Sequence, residues 1–224
     1  MRPKPQRVEL FDTTLRDGSQ TAGINYSAED KLRIANRLAE FQIDWIEGGW
    51  PGASPKDTRF FELMRERQWT HSKLMAFGSM ARPGKPASED VGLRHLTESG
   101  ADGACVFGKS WDLHVTKALG ISLEDNLELV RDSISWLKSK LPVVFFDAEH
   151  FFDGYKDNPE YALKVLQTAH EAGADGLVLC DTNGGSIPYT VAQVVSEVIR
   201  MFPETTVGIH AHNDCELAVA NSIA

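Results

Sequence analysis

The chain has 224 residues, 42% hydrophobic and 25% charged, with a formal net charge of −9. That is ordinary globular composition, long enough to bury a sizeable core, and its acidic balance argues against a nucleic-acid surface. No apolar run reaches the roughly 18 residues that a membrane span needs.

The start, MRPKPQR, is basic with no apolar stretch behind it, so no signal peptide is expected. Val8–Asp12 reads as a short strand. Ser27-Ala28-Glu29-Asp30 opens a helix with Ser27 as N-cap and an acid three residues on, and Leu32, Ala35, Leu38 and Ala39 form its apolar face. Ile43–Glu47 is the next strand, ending in Gly48-Gly49. Ser54-Pro55 starts a second helix with proline at its first position. Leu74–Phe77 is a strand, Glu89–Glu98 a helix, Ala101–Phe107 a strand and Leu123–Leu137 a long amphipathic helix. Val143–Phe146 is a strand of four apolar residues, Pro159–Glu171 a helix, Gly176–Cys180 a strand, Val191–Met201 a helix and Thr206–Ala211 the last strand. Cys105, Cys180 and Cys215 have no CxxC spacing. An odd count without a signal reads as free thiols in a reducing cytosol, with Cys105 and Cys180 in the core.

Seven strands thus recur at intervals of about 28 to 42 residues, the length of one βα unit. The strands are apolar runs, as a parallel sheet covered by helices requires. With no GxGxxG after the first strand, the pattern favours a TIM (β/α)8 barrel over a doubly wound sheet. No linker divides the chain, so residues 1–224 read as one domain. The count is one short: the chain ends inside what looks like the seventh helix, so the barrel is expected to be incomplete. An open barrel would leave two sheet edges unpaired and prone to associate.

Polar residues gather at or just past the carboxyl ends of the strands: Arg16 and Asp17, Glu47, Glu149 and His150, Asp181 and Thr182, His210 and His212. That is the end on which such barrels carry their chemistry. In GIHAHND, His210 and His212 are spaced by two and share one strand face, which makes half of a metal site. Taken alone, an HxH pair is equally well two unrelated histidines.

FDTTLRDGSQ near the start and GIHAHND near the end resemble the metal-dependent acyl transferases and lyases of the isopropylmalate, homocitrate and citramalate synthase family. IEGGWPGASPKD at 46–57, FGKSWDLHV at 107–115, FDAEHFFDGYK at 146–156 and LCDTNGG at 179–185 resemble its citramalate synthase branch, over nearly the whole chain. Family members continue into an eighth strand, a linker and a regulatory domain, so the resemblance implies that residues 1–224 are the catalytic barrel without these parts. It also implies a cytoplasmic enzyme of branched-chain amino acid (isoleucine) biosynthesis, a homodimer with no nucleic-acid or membrane partner. Its substrates would be acetyl-CoA and a 2-oxo acid, pyruvate. A bulkier oxo acid, a lyase reaction on the same scaffold, and a non-catalytic fragment are the alternatives.

The resemblance implies roles residue by residue. Asp17, His210 and His212 would hold a divalent metal, Zn, Mn, Mg or Co. Arg16 would face developing negative charge and bind substrate. Thr182 would bind the oxo-acid carboxylate, with a strand-end cap as its plainer role. Glu149, in what looks like an apolar setting of phenylalanines, would hold the substrate oxygen or act with a water as base, with a structural salt bridge as its alternative. Gln20 and Asn213 are weaker orienting candidates. His150 and His114 are expected to support the site, and Trp50 and Trp111 to wall the barrel mouth.

Overall fold

The computed structural model describes residues 7–224. The first six residues of the basic start, on which the signal-peptide expectation mostly rests, lie outside them. The strands are β1 (Phe11–Asp12), β2 (Trp45–Gly49), β3 (Lys73–Ser79), β4 (Gly103–Lys109), β5 (Val143–Glu149), β6 (Gly176–Asp181) and β7 (Thr206–Ala211). They form one sheet in chain order. The registered pairs β1–β2, β2–β3, β5–β6 and β6–β7 are all parallel.

A parallel neighbour can be reached only by a crossover. Helices supply it: α1 (Ala28–Glu40), α2 (Pro55–Met64), α3 (Val91–Glu98), α4 (Asp112–His114), α5 (Leu123–Lys138), α6 (Phe151–Asp157), α7 (Pro159–Glu171), α8 (Pro188–Met201) and α9 (Ala218–Ile223). A sheet whose order never reverses excludes the doubly wound alternative. The fold is an incomplete TIM barrel with seven βα-type repeats, as the spacing predicts. No helix among the described residues is long and apolar enough to cross a membrane.

Local boundaries differ in instructive ways. β1 is only two residues long; Val8 and Leu10 before it are exposed, although the Leu10 carbonyl still accepts from Trp45 N–H of β2 at 3.0 Å. β5 runs on past its apolar residues to Glu149. α4 and α6 have no counterpart in the sequence expectations. α6 follows His150, which holds a left-handed backbone (φ 54) that a histidine seldom adopts.

By internal packing the chain divides into two compact units. One ends at Gly78 and takes in Arg94–Ala104; the other comprises Ser79–Leu93 and Cys105–Ala224.

In the first unit the caps read from sequence form. Ser27 Oγ accepts from Asp30 N–H at 3.0 Å, and Asp30 Oδ2 accepts from Ser27 N–H at 3.0 Å. Ser54 Oγ accepts from Asp57 N–H at 3.1 Å, with Pro55 opening α2. The core is built from Ile46, Phe60, Phe61, Met64, Leu74, Met75 and Leu96. Of the expected α1 face, Ala35 is buried and Leu32, Leu38 and Ala39 are half-buried, and Lys31 is 1% exposed. The Lys31 ammonium is paired with Asp57. Burial pushes its pKa down and the Asp57 bond only partly offsets this. Gly49 (φ 137) lies under the pair, and a Cβ there would come within 2.7 Å of Lys31 Nζ. GGWPGASPKD is therefore a structural device: a glycine clearing space, a cap, and an acid neutralising a buried lysine. Removing one partner of a buried pair strands the other charge. Asp57→Ala is expected to lower stability by about 3–5 kcal/mol, read by urea unfolding. A loss below about 1 kcal/mol, the range of exposed pairs, would show that Lys31 is not held this way.

In the second unit, Ser122 caps α5 through Asp125 N–H at 3.1 Å, and Asn158 caps α7 through Tyr161 N–H at 3.2 Å. The core joins Val144, Phe145, Phe146 and Ala148 of β5 to Leu127, Val130, Ile134 and Leu137 of α5 and Val165 and Leu166 of α7. Each of the valine, leucine, isoleucine and phenylalanine side chains contributes about 1.5–3 kcal/mol by leaving water. Phe146 packs so closely on β4 that a Cβ at Gly108 would fall 2.7 Å from its ring. This packing sets the strand ends from which the functional side chains project.

Candidate active site

In the first unit, the turn after β1 is shaped by its own short polar residues. Asp12 accepts from Thr14 N–H at 3.0 Å and from the Thr14 hydroxyl at 3.1 Å. The Thr13 carbonyl accepts from Arg16 and Gly18 N–H, both at 3.1 Å, and Leu15 is fully buried. The turn delivers Arg16 to the end of β2. Its Nε donates to Glu47 Oε2 at 2.6 Å, and its guanidinium lies 3.7 Å from the centre of the Phe77 ring. Glu47 is 1% exposed. A buried carboxylate demands a cation, so Arg16 is not a surface arginine; its direction is set by Glu47 and Phe77. Asp17 Oδ2 lies 3.6 Å from Arg16 Nη1. Gln20 ends a short 3-10 turn, Gly18–Gln20, and is exposed. Trp50 meets Phe77 edge-on at 5.8 Å.

In the second unit, the two-residue period of strands stacks polar side chains in two layers. Asp147, Cys180 and His210 form the lower one. Their ligand atoms lie within 4.8 Å of one another, and Cys180 and His210 are direct register partners. The Cys180 thiol donates to Asp147 Oδ1 at 3.1 Å, and His210 Nδ1 lies 3.4 Å from Asp147 Oδ2. Burial, and then the Asp147 charge, push the Cys180 thiol well up. The thiol thus holds one oxygen of Asp147 while the other faces His210, so the trio fixes the direction of the His210 ring. The Asp147 carboxylate faces the Nδ1 side of the His210 ring, as a partner that orients an imidazole does.

Two residues further along each strand stand Glu149, Thr182 and His212. The His210 and His212 rings are 5.2 Å apart, as the shared-face spacing requires. Glu149 is not in an apolar box: its side chain is 25% exposed and ion-paired to Lys109 at the end of β4. The salt bridge weighed as its alternative is present. Thr182 Oγ1 accepts from His150 N–H at 2.9 Å, so it does cap a strand end, and its own hydroxyl hydrogen is what it can offer a ligand.

Asn213 Oδ1 accepts from Ala218 N–H at 3.1 Å and starts α9. Asp181 is structural as well, bonding Ser186 N–H at 3.1 Å and the Ser186 hydroxyl at 3.0 Å. His150 and His114 pack with Trp111, the two imidazoles 4.6 Å apart. His150 Nδ1 bonds Asp153 at 2.9 Å. Burial, followed by the neighbouring His150, holds the His114 pKa down, which suits a supporting role.

Glu47, Lys109 and Asp147 received no role from sequence. The available signal was register: a charge inside an apolar strand must meet a partner on the same face.

The HMGL-like family model matches residues 7–224. The chain is 52% identical to an (R)-citramalate synthase of Aquifex aeolicus over 97% of its length, and 32% identical to a 2-isopropylmalate synthase of Sulfolobus acidocaldarius over 98%. It spans 41% of the first relative and 54% of the second. Among solved structures, an HMG-CoA lyase of Bacillus subtilis has the same fold, with a TM-score of 0.78 at 22% identity, covering 99% of this chain and 74% of that one.

Proposed function

The chain belongs to the HMGL-like family, and we propose that it carries the condensing barrel of a citramalate synthase, joining acetyl-CoA, pyruvate and water to give citramalate and CoA. The observation that carries this reading is the identity, much higher to the citramalate synthase than to the isopropylmalate synthase over the same residues.

The donor set suits a divalent ion. His210 and His212 offer two imidazoles from one strand face, with Asp147 beside His210 Nδ1, and Asp17 would add a carboxylate. Such an ion, Zn, Mn, Mg or Co, would supply Lewis-acid polarisation of the keto group. The side chains do the rest. The Thr182 hydroxyl donates to the pyruvate carboxylate, with Gln20 as a further contact. Glu149 accepts a proton from the acetyl methyl, the methyl carbon bonds to the keto carbon as the C=O π pair moves to oxygen, and that oxygen takes up a proton to become the hydroxyl while Glu149 releases its own. Arg16, aimed by Glu47, balances the negative charge that develops. Water then cleaves the thioester and CoA leaves. A cytoplasmic homodimer is the form we expect. The three cysteines are free thiols, the state a reducing compartment maintains.

CoA release with pyruvate, 2-oxoisovalerate and glyoxylate, measured in parallel, tests the reading. Pyruvate is expected to lead in kcat/KM by about tenfold or more, since a methylene step is worth about 1–3 kcal/mol in such a pocket. Preference for 2-oxoisovalerate would replace it by the isopropylmalate reaction, and cleavage of citramalate without condensation by a lyase.

A further inference from the structure

Building on the assignment of Glu149 as the base, we propose that Lys109 is its positioning residue: the ammonium anchors one carboxylate oxygen so that the other is presented to the substrate. Lys109 Nζ engages Glu149 Oε2. Among the described residues Oε1 accepts no hydrogen bond, so the carboxylate has one tethered and one available oxygen.

Both ends of the pair are built in. The Lys109 carbonyl accepts from Asn126 Nδ2 at 3.0 Å. Asn126 is 1% exposed and also donates to the Tyr161 hydroxyl at 2.8 Å. Burial raises the Tyr161 pKa to about 12, so this phenol keeps its proton, which it donates to the Leu123 carbonyl at 3.3 Å. From the same stretch of chain, the fully buried Ser110 donates to the Glu149 carbonyl at 2.8 Å. The Lys109 ammonium sits 5.7 Å from the Phe107 ring centre, two residues earlier on its own strand. A solvent-exposed Lys–Glu pair contributes little and wanders among rotamers; here buried asparagine, serine and tyrosine groups hold both backbones. Such support is what keeps a proton-accepting atom within the narrow geometry that transfer demands.

The test is a double-mutant cycle in the purified protein with acetyl-CoA and pyruvate, using Lys109→Met, Lys109→Arg, Glu149→Gln and the Lys109→Met/Glu149→Gln pair. Thermal unfolding of each variant checks the fold. Lys109→Met is expected to lower kcat about 10²-fold, the cost of a misplaced reacting group, with KM for pyruvate within about threefold. Lys109→Arg should recover most of the loss. In the Glu149→Gln background Lys109→Met should add nothing, because groups acting as one unit are not additive. Turnover kept in Lys109→Met but lost in Glu149→Gln overturns this inference alone, as does a further full loss in the double variant. Turnover kept in Glu149→Gln overturns the base assignment itself. If Lys109→Met unfolds, the KM-against-kcat split in Lys109→Arg and Lys109→Gln decides the matter: a uniform KM rise with unchanged kcat rejects positioning.

Discussion

Replacing His210 or His212 by alanine is expected to strip the protein of most of its divalent metal while leaving the fold intact. His210 projects from β7 and His212 from the residue just past its end, and both are only half-buried, so truncation opens no large core cavity. If the two histidines and Asp17 are the protein ligands, losing one imidazole weakens the hold on the ion and the polarisation it would supply. If that polarisation is worth about 4 kcal/mol, turnover falls about 10³-fold at 1.36 kcal/mol per tenfold. Metal content per chain by elemental analysis is the primary readout, with circular dichroism to confirm the fold. Full metal occupancy in both variants would rule the histidines out as ligands.

Glu149→Gln should act on turnover and spare binding. Glutamine has almost the same shape and keeps an oxygen that can accept from Lys109, so the end of β5 should hold its place through Ser110 and Thr182. It cannot accept a proton from the acetyl methyl. General-base contributions run about 10²–10⁴-fold, and kcat is expected to fall within that range. Metal content and KM for pyruvate should change by less than about threefold, the pattern of an interaction made only in the transition state. A variant that turns over near the wild-type rate would leave Glu149 as one half of a structural ion pair.

The sequence by itself determined the repeat and most of its punctuation. Apolar runs at βα spacing, the Ser27 and Ser54 caps and the prolines opening α2 and α7 depend on local backbone chemistry, and all appear where the residues indicate. The HxH spacing likewise determined that two imidazoles share a face, because side-chain direction on a strand has a period of two. Only the tertiary structure decided which charges meet. Glu47 finds Arg16 across 31 residues of sequence, Lys31 finds Asp57 across 26, and Lys109 finds Glu149 across 40. These pairings depend on strand register and on helices packed over the sheet, which leave no local pattern. The phenylalanines around Glu149 suggested an apolar setting, yet Phe146, Phe151 and Phe152 turn into the core, while the alternation of β5 carries Glu149 to its charged neighbour. A side chain's sequence neighbours are not its spatial neighbours on a strand, and the chemistry of this site is set by the latter.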